Sequence, residues 1–372
     1  MDLYVWKFNS NEEKEIIGIV DNATSTIWEE NYYSEGQFEI YIEASNEFLT
    51  LIQEGYFISR SDTEYTMIIE KIEIKQDVEE GNFIAVTGRS AKSILARRIA
   101  RYNRSFENVS VEKAITDLLN ENAVNPTFYA NTRKINCLAL GTNSLNITEN
   151  LTIQVAYENL LSCIQTILKT YESSIKLVFN ENTNKFDIKM FTGIDRSYNQ
   201  NINDVVLFSE EFDNLLASDY VKDLTNAATA IYVGGDDFTE GSDTIETQIV
   251  DKYEVPTADS IGVVSGLDRY EVFVNASDLK RTYKDDAGNE IEIEMPNYRS
   301  MLQARGKENV ILFQEDLNGE IDASSYKYRV DYNLGDVVTI YSNLIGAYKN
   351  VRITSVTEVQ DEEGYAVKIS FE

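Results

Sequence analysis

The sequence contains no histidine. That removes the commonest general base and the commonest metal ligand at once. It has two cysteines, Cys137 and Cys163. They are too few and too far apart for a zinc site and read as reduced or half-buried thiols. Three prolines and 18 scattered glycines in 372 residues leave no low-complexity linker. Domains should therefore pack together rather than hang on tethers. No run approaches 18 apolar residues, and the start, Met1-Asp2-Leu3-Tyr4, has no basic stretch ahead of an apolar one. Neither a membrane span nor a secretory signal is expected. Basic residues are also scarce: 33 Lys+Arg face 63 Asp+Glu, a net charge of −30. Phosphate contacts come from Lys and Arg, so this balance argues against a nucleic-acid-binding surface. It suits solubility, or a surface along which DNA passes without sticking.

What is present favours strands. With 43% hydrophobic residues there is material for real cores, and 23 Tyr and 16 Phe are abundant. The length predicts two or three domains. Over the first hundred residues, Leu3–Phe8 and Ile16–Val20 are candidate strands. Gln37–Glu43 alternates, with Phe38, Ile40 and Ile42 on one face, and Ile68–Lys75 does likewise. Turns fall at Glu35-Gly36, Glu54-Gly55 and Glu80-Gly81-Asn82, and a short helix is expected near Ser90–Ala100. Short strands at this spacing suggest a barrel or sandwich.

The period then changes. Ser110 can cap a helix over Val111–Glu121, ahead of Pro126. Leu160, Leu161, Ile164, Ile167 and Leu168 recur at helical spacing within Gln154–Glu172. A hairpin follows over Ile175–Phe179 and Phe186–Phe191. Beyond residue 216 the chain returns to β: Ala227–Gly234, Tyr270–Val274, a hairpin over Arg281–Glu294, then Asp336–Tyr341, Val351–Val359 and Tyr365–Phe371. One short helix interrupts at Asn297–Arg305, ended by Gly306. The fold class is α+β, mainly β. The expected divisions are 1–104 (β), 105–215 (α/β) and 216–372 (β, with a peripheral insertion around 236–325). Part of 296–325 could pack back on the α/β module.

Catalytic motifs match poorly. Ala91-Lys92-Ser93 resembles the end of a phosphate-binding loop but lacks its glycines. Ser173-Ser174-Ile175-Lys176 fits Ser-x-x-Lys, yet it closes a helix where the motif should open one. Acidic loops at Gly235–Ser242 and Asp285–Glu290 lack helix-loop-helix calcium spacing and read as solvated turns. No catalytic residue, cofactor or metal is expected.

One segment departs from the acidic background. From Gly88 to Ser105 there are six bases, Arg89, Lys92, Arg97, Arg98, Arg101 and Arg104, and no acid. The rest of the chain therefore carries −36, the total of −30 less these six. Such a segment must meet carboxylates, from its own chain or a neighbour. All six are candidates for a subunit or partner interface, where ion pairs set register and partner choice. The bland alternative is that cations near a helix end complement its dipole.

Three blocks carry a resemblance: Ser25–Ile42 with Ile68-Ile69-Glu70 and Gly88–Ile99; Ala228–Gly235 with Asp268–Val274; and Tyr332–Ile340 with Val351–Val359. In order and spacing they resemble the baseplate hub and tail-tip proteins of tailed bacteriophages and related prophages, the family that includes the N-terminal hub region of siphophage tail-associated proteins. The resemblance spans nearly the whole chain. It implies a homotrimer in which each subunit supplies two β-barrel tube-type domains with an α/β domain between them. Three copies would seat on a hexameric tail tube or distal tail protein. The implied neighbours are the tape measure protein and tip, spike or baseplate proteins. DNA would pass through the lumen without specific binding. The implied location is the virion tail, after synthesis in the host cytoplasm. Many relatives continue into peptidoglycan-cleaving or receptor-binding regions. This chain stops at Glu372, so those activities are not expected and the chain is read as a non-enzyme. Two other readings stay open at this point. One is a carboxylate-based glycosidase acting on cell-wall peptidoglycan; the other is a carbohydrate-binding module suggested by the tyrosines.

Overall fold

The computed structural model describes residues 2–77, 81–101, 104–155, 157–240, 245–256, 262–284, 289–312, 314–322, 325–342 and 347–372. The N-terminal lobe holds β1 (Leu3–Phe8), β2 (Lys14–Val20), β3 (Ser25–Asn31), β4 (Gln37–Glu43), helix α1 (Asn46–Leu51), β5 (Phe57–Arg60), β6 (Thr66–Asp77) and β7 (Gly81–Ser90). Its alternation does what the sequence predicts: Phe38, Ile40 and Ile42 of β4 all turn inward. They meet Leu3, Val5, Trp28, Ile58, Met67, Ile84 and Val86 in one core.

The middle of the chain gives β8 (Arg104–Ser110), α2 (Val111–Leu119), α3 (Ala130–Arg133), β9 (Leu138–Leu140), β10 (Asn150–Val155), α4 (Leu160–Thr170), β11 (Ser174–Asn180) and β12 (Lys185–Phe191). Ser110 caps α2 as expected, its hydroxyl accepting from the Lys113 N–H. Two expectations change. The helix predicted over Gln154–Glu172 starts only at Leu160, because Asn150–Val155 pairs with β8 as a strand and Asn159 caps the shortened helix. The helix expected near Ser90–Ala100 is a 3-10 turn over Ala91–Arg97. It ends because Arg98 and Ala100 bond the backbone of Leu160 and Glu158 instead of continuing helically. The module's core is continuous with Trp6, Phe57 and Ile68, on the far side of the N-terminal sheet.

The remainder gives β13 (Leu207–Ser209), β14 (Leu215–Asp223), β15 (Ala230–Glu240), β16 (Ile245–Glu254), β17 (Glu271–Asn275), β18 (Thr282–Lys284), β19 (Glu290–Glu292), α5 (Met295–Glu308), β20 (Gln314–Ile321), β21 (Val337–Ser342), β22 (Ala347–Asp361) and β23 (Gly364–Phe371). The turn of the hairpin expected over Arg281–Glu294 lies outside the described residues at 285–288. β14 and β20 form an antiparallel ribbon. The segment it carries has its own sheet, β16-β15-β17, and its own core around Tyr298, Met301 and Leu302. Its helix α5 packs on β10 and α4 of the middle module.

The two ends of the chain share one sheet. Its path is β14-β20-β23-β22-β3-β4-β7-β6-β5-β1-β2, with β21 and β13 branching from β22. Large antiparallel sheets thus dominate, but among the described residues neither expected barrel closes. The reason is β22, which is 15 residues long. Its first part pairs with β21 and its second part, Ser355 to Gln360, pairs with β3. The N-terminal lobe spends an edge on the C-terminal lobe, and the sheet runs on to open ends at β14 and β2.

Tyr32 lies where the cores meet. It is fully buried in the C-terminal core, although it follows β3 of the N-terminal lobe. Its hydroxyl sits 3.1 Å from the Glu172 carbonyl, 3.3 Å from that of Phe191, and accepts from the Gly193 N–H at 3.3 Å. Gly335 lies against its ring at φ +89°, and a Cβ there would be 2.3 Å from Tyr32 Cε2. Gly335→Ala combines a left-handed backbone with that clash. It should cost more than about 2 kcal/mol, read as a lower urea midpoint; an unchanged midpoint would contradict this packing.

Candidate interaction surface

The basic segment splits by role. Arg89 on β7 makes a bidentate pair with Glu70 of β6, at 2.8 and 2.9 Å, and reaches Glu35 at 3.3 Å. Arg104 pairs with Glu121 at 3.1 Å and Asp117 at 3.7 Å. Lys92 corrects the sequence reading: it is 3% exposed, so it cannot face a partner. Its ammonium donates instead to the carbonyls of Asn31, Tyr32 and Ser34 at 3.1, 3.2 and 2.8 Å. Burial pushes Lys92 down to about 7, with Glu35 pulling the other way.

The rest of the segment is half-buried at Arg98 and Arg101. Arg97 is exposed. Arg98 donates to the carbonyls of Arg133 and Arg97 at 2.8 and 2.9 Å. The Arg101 guanidinium stacks 3.3 Å from the Phe128 ring centre. The segment therefore docks on residues 128–134, around α3. This brings Arg133 and Lys134 beside it, a proximity that a separation of some thirty residues hides in the sequence.

A second cluster was not foreseen. Arg60 of β5 makes a bidentate pair with Glu358 of β22 at 2.8 and 3.1 Å. Arg329 bridges Glu358 and Glu30 of β3 at 2.5 and 2.7 Å. Tyr365 donates to Glu358, while Tyr328, Thr63 and the Trp28 indole donate to Glu30. Both carboxylates are buried. Burial alone would raise Glu358; the two guanidiniums win and hold it below its ordinary value. The sequence did hold one signal. Glu30 follows Thr26 and Trp28 on the inward register of β3, a carboxylate in an apolar row. The cluster borders a cleft of about 770 Å³, lined by residues of all three regions and bridged by the Lys176–Glu64 pair at 2.5 Å.

A third charged group joins the ribbon-borne segment to the middle module. Arg305 of α5 lies 3.0 Å from Asp278, 3.5 Å from Glu308 and 3.9 Å from Glu158. Arg305, Glu308 and Glu158 border a cavity of about 310 Å³ with Cys163 and Leu279. One arginine is shared among three carboxylates, so burial raises Glu308 to about 7.

The motifs weighed for catalysis lead elsewhere. Ser173 is hydrogen-bonded to Tyr171 and Thr192, and Lys176 is paired with Glu64, so no serine–lysine contact forms. Among the described residues no three His, Cys, Asp or Glu side chains gather as metal ligands. The acidic loops 235–242 and 285–290 lie partly outside the described residues.

The profile of the Siphovirus ReqiPepy6 Gp37-like proteins matches residues 2–371. The chain belongs to that family. The resemblance to tailed-phage proteins is thus met by a siphovirus family. No curated protein matches it in sequence. Solved structures share its fold. The prophage MuSo2 43 kDa tail protein of Shewanella oneidensis aligns with TM-score 0.57 and 10% identity, over 100% of this chain and 98% of that one. A tail protein of Neisseria meningitidis MC58 gives 0.56 and 10%, over 99% and 96%. The prophage tail protein gp18 of Listeria monocytogenes EGD-e gives 0.52 and 10%, over 100% and 94%.

Two measurements test these clusters in the Gp37-like protein. Glu358→Gln removes the buried anion that Arg60 and Arg329 both bond, leaving them Asp62 and Glu30. It should cost about 3–5 kcal/mol in chemical denaturation; a loss near zero would mean the cluster is not buried as described. Glu308 holds its proton more tightly folded (about 7) than in the free chain (4.5). Stability from this site is thus full below pH 4.5, is lost as pH rises to 7, and stays low above. Glu308→Gln should raise the melting temperature at pH 8 and leave it nearly unchanged at pH 4.5; equal shifts at both would contradict the assignment.

Proposed function

We propose that the chain is the hub at the distal end of a phage or phage-like tail. Three copies form a ring that joins the tail tube to baseplate or tip proteins, and DNA leaves through its centre. The observation that carries this reading is the single sheet built from both chain ends, open at β14 and β2. An open strand edge invites pairing. Here both edges are also apolar: Ile16 and Ile19 are exposed on β2, Leu216 and Val221 on β14. The two ends differ, so a contact between copies made by either end is heterologous, and a heterologous contact that closes makes a ring.

The charge of −30 fits a passage for a polyanion, because like charges repel. The role needs no catalysis, cofactor or metal, in keeping with the tail proteins that share the fold. The tape measure protein and the tube or distal tail protein are the proposed neighbours, with assembly in the host cytoplasm.

Electron microscopy of the purified protein tests the reading. Class averages should show a threefold ring with an open centre. Compact monomers, both alone and mixed with tail tubes, would overturn it.

A further inference from the structure

Two exposed tyrosines hold backbone angles that residues with a Cβ rarely adopt. Tyr129 and Tyr157 have φ of 50° and 54°, and each is 65% exposed. Strained residues persist only where the surroundings impose them, and they gather at contact sites. Both flank the basic segment. Asn159, two residues after Tyr157, pairs with Ile99, and the Arg101 guanidinium lies 4.9 Å from the Tyr129 ring centre. Ile99 is itself exposed. The Arg133 guanidinium donates to the Ile99 carbonyl at 2.8 Å, which sets Lys134 at the border of the same face. Arg97 and Lys134 are exposed and, among the described residues, reach no carboxylate. Arginine and tyrosine on one face are the composition of strong contact surfaces.

The opposite composition occurs at the open end of the sheet. From Asp204 to Asp223 there are six acids and one base, Lys222. Glu211, Phe212 and Asp213 are exposed at the turn before β14, and Leu216 and Asp219 are exposed on the strand. Glu211, Asp213 and Asp219 form no ion pair among the described residues. This shoulder is acidic with apolar points; the other face is basic with aromatic points.

We propose that the face made by Arg97, Ile99, Tyr129, Lys134 and Tyr157 seats the Glu211–Asp219 shoulder of a second copy of the chain. This rests on the trimeric hub reading and adds which surfaces meet. Copies carrying −30 each repel, so their contacts must use the few places where the sign reverses. DNA fits the face less well. The Phe128 ring is already covered by Arg101, and the chain's overall field opposes phosphate.

The test is a charge swap read by sedimentation velocity at low and high salt. Arg97→Glu with Lys134→Glu should weaken self-association about tenfold or more, since reversal turns attraction into repulsion. Glu211→Arg with Asp213→Arg should do the same, and the two sets combined in one chain should restore assembly. Circular dichroism and melting temperature should stay at wild-type values, because none of these side chains is buried. Arg97→Gln with Lys134→Gln is a milder pair that should give a smaller loss. A wild-type ring whose assembly ignores either reversal overturns the contact and leaves the hub standing. A harmful basic reversal that the acidic reversal does not rescue overturns the choice of partner, as does DNA binding by the wild type that the basic reversal abolishes. A wild type that forms no ring overturns both readings.

Discussion

An ammonium set among three carbonyls fixes the 31–34 turn, and much of the architecture follows from that turn. Lys92 is buried, and burying an ammonium costs several kcal/mol. Three hydrogen bonds to carbonyls offset part of that cost, and the drop of Lys92 to about 7 marks the part left over. The result is a rigid reversal that carries Tyr32 out of its own lobe and into the core of the other. Ser174 of the middle module donates to the same Tyr32 carbonyl. One turn therefore bonds to three regions of the chain, and the lobes cannot shift independently without breaking it.

The charged cluster adds a different constraint. A buried ion pair contributes little net stability against an apolar replacement. Its effect here is on register. Glu358 lies opposite Trp28 where β22 meets β3. A slip of one residue would send its carboxylate to the other face of the sheet. Arg60 and Arg329 would then lose the buried carboxylate that both of them bond. The junction of the two chain ends is thus held to one alignment by charges that would be costly in any other.

What the sequence revealed was local. Alternation placed Phe38, Ile40 and Ile42 inward. The Ser110 cap and the apolar stripe of α4 were also visible. What it concealed was pairing across the chain. Arg60 and Glu358 are separated by 298 positions, and nothing in either neighbourhood names the other. The open sheet follows from β22 reaching β3, again a contact between distant strands. Lys92 looked like one more member of a basic run; only the inward turn at Ala91–Arg97 sets it apart. The family resemblance rested on three separated blocks and survived all of these local revisions.

The ribbon of β14 and β20 has a consequence for how such proteins diversify. Asp223 and Gln314 are register partners, so residues 224–313 leave and re-enter the sheet at adjacent points. The entropy of closing a loop rises only with the logarithm of its length when its ends are already together. The sheet therefore senses little of what lies between those two residues. That position works as a socket: an excursion of another size or shape can be exchanged there while the sheet itself stays the same.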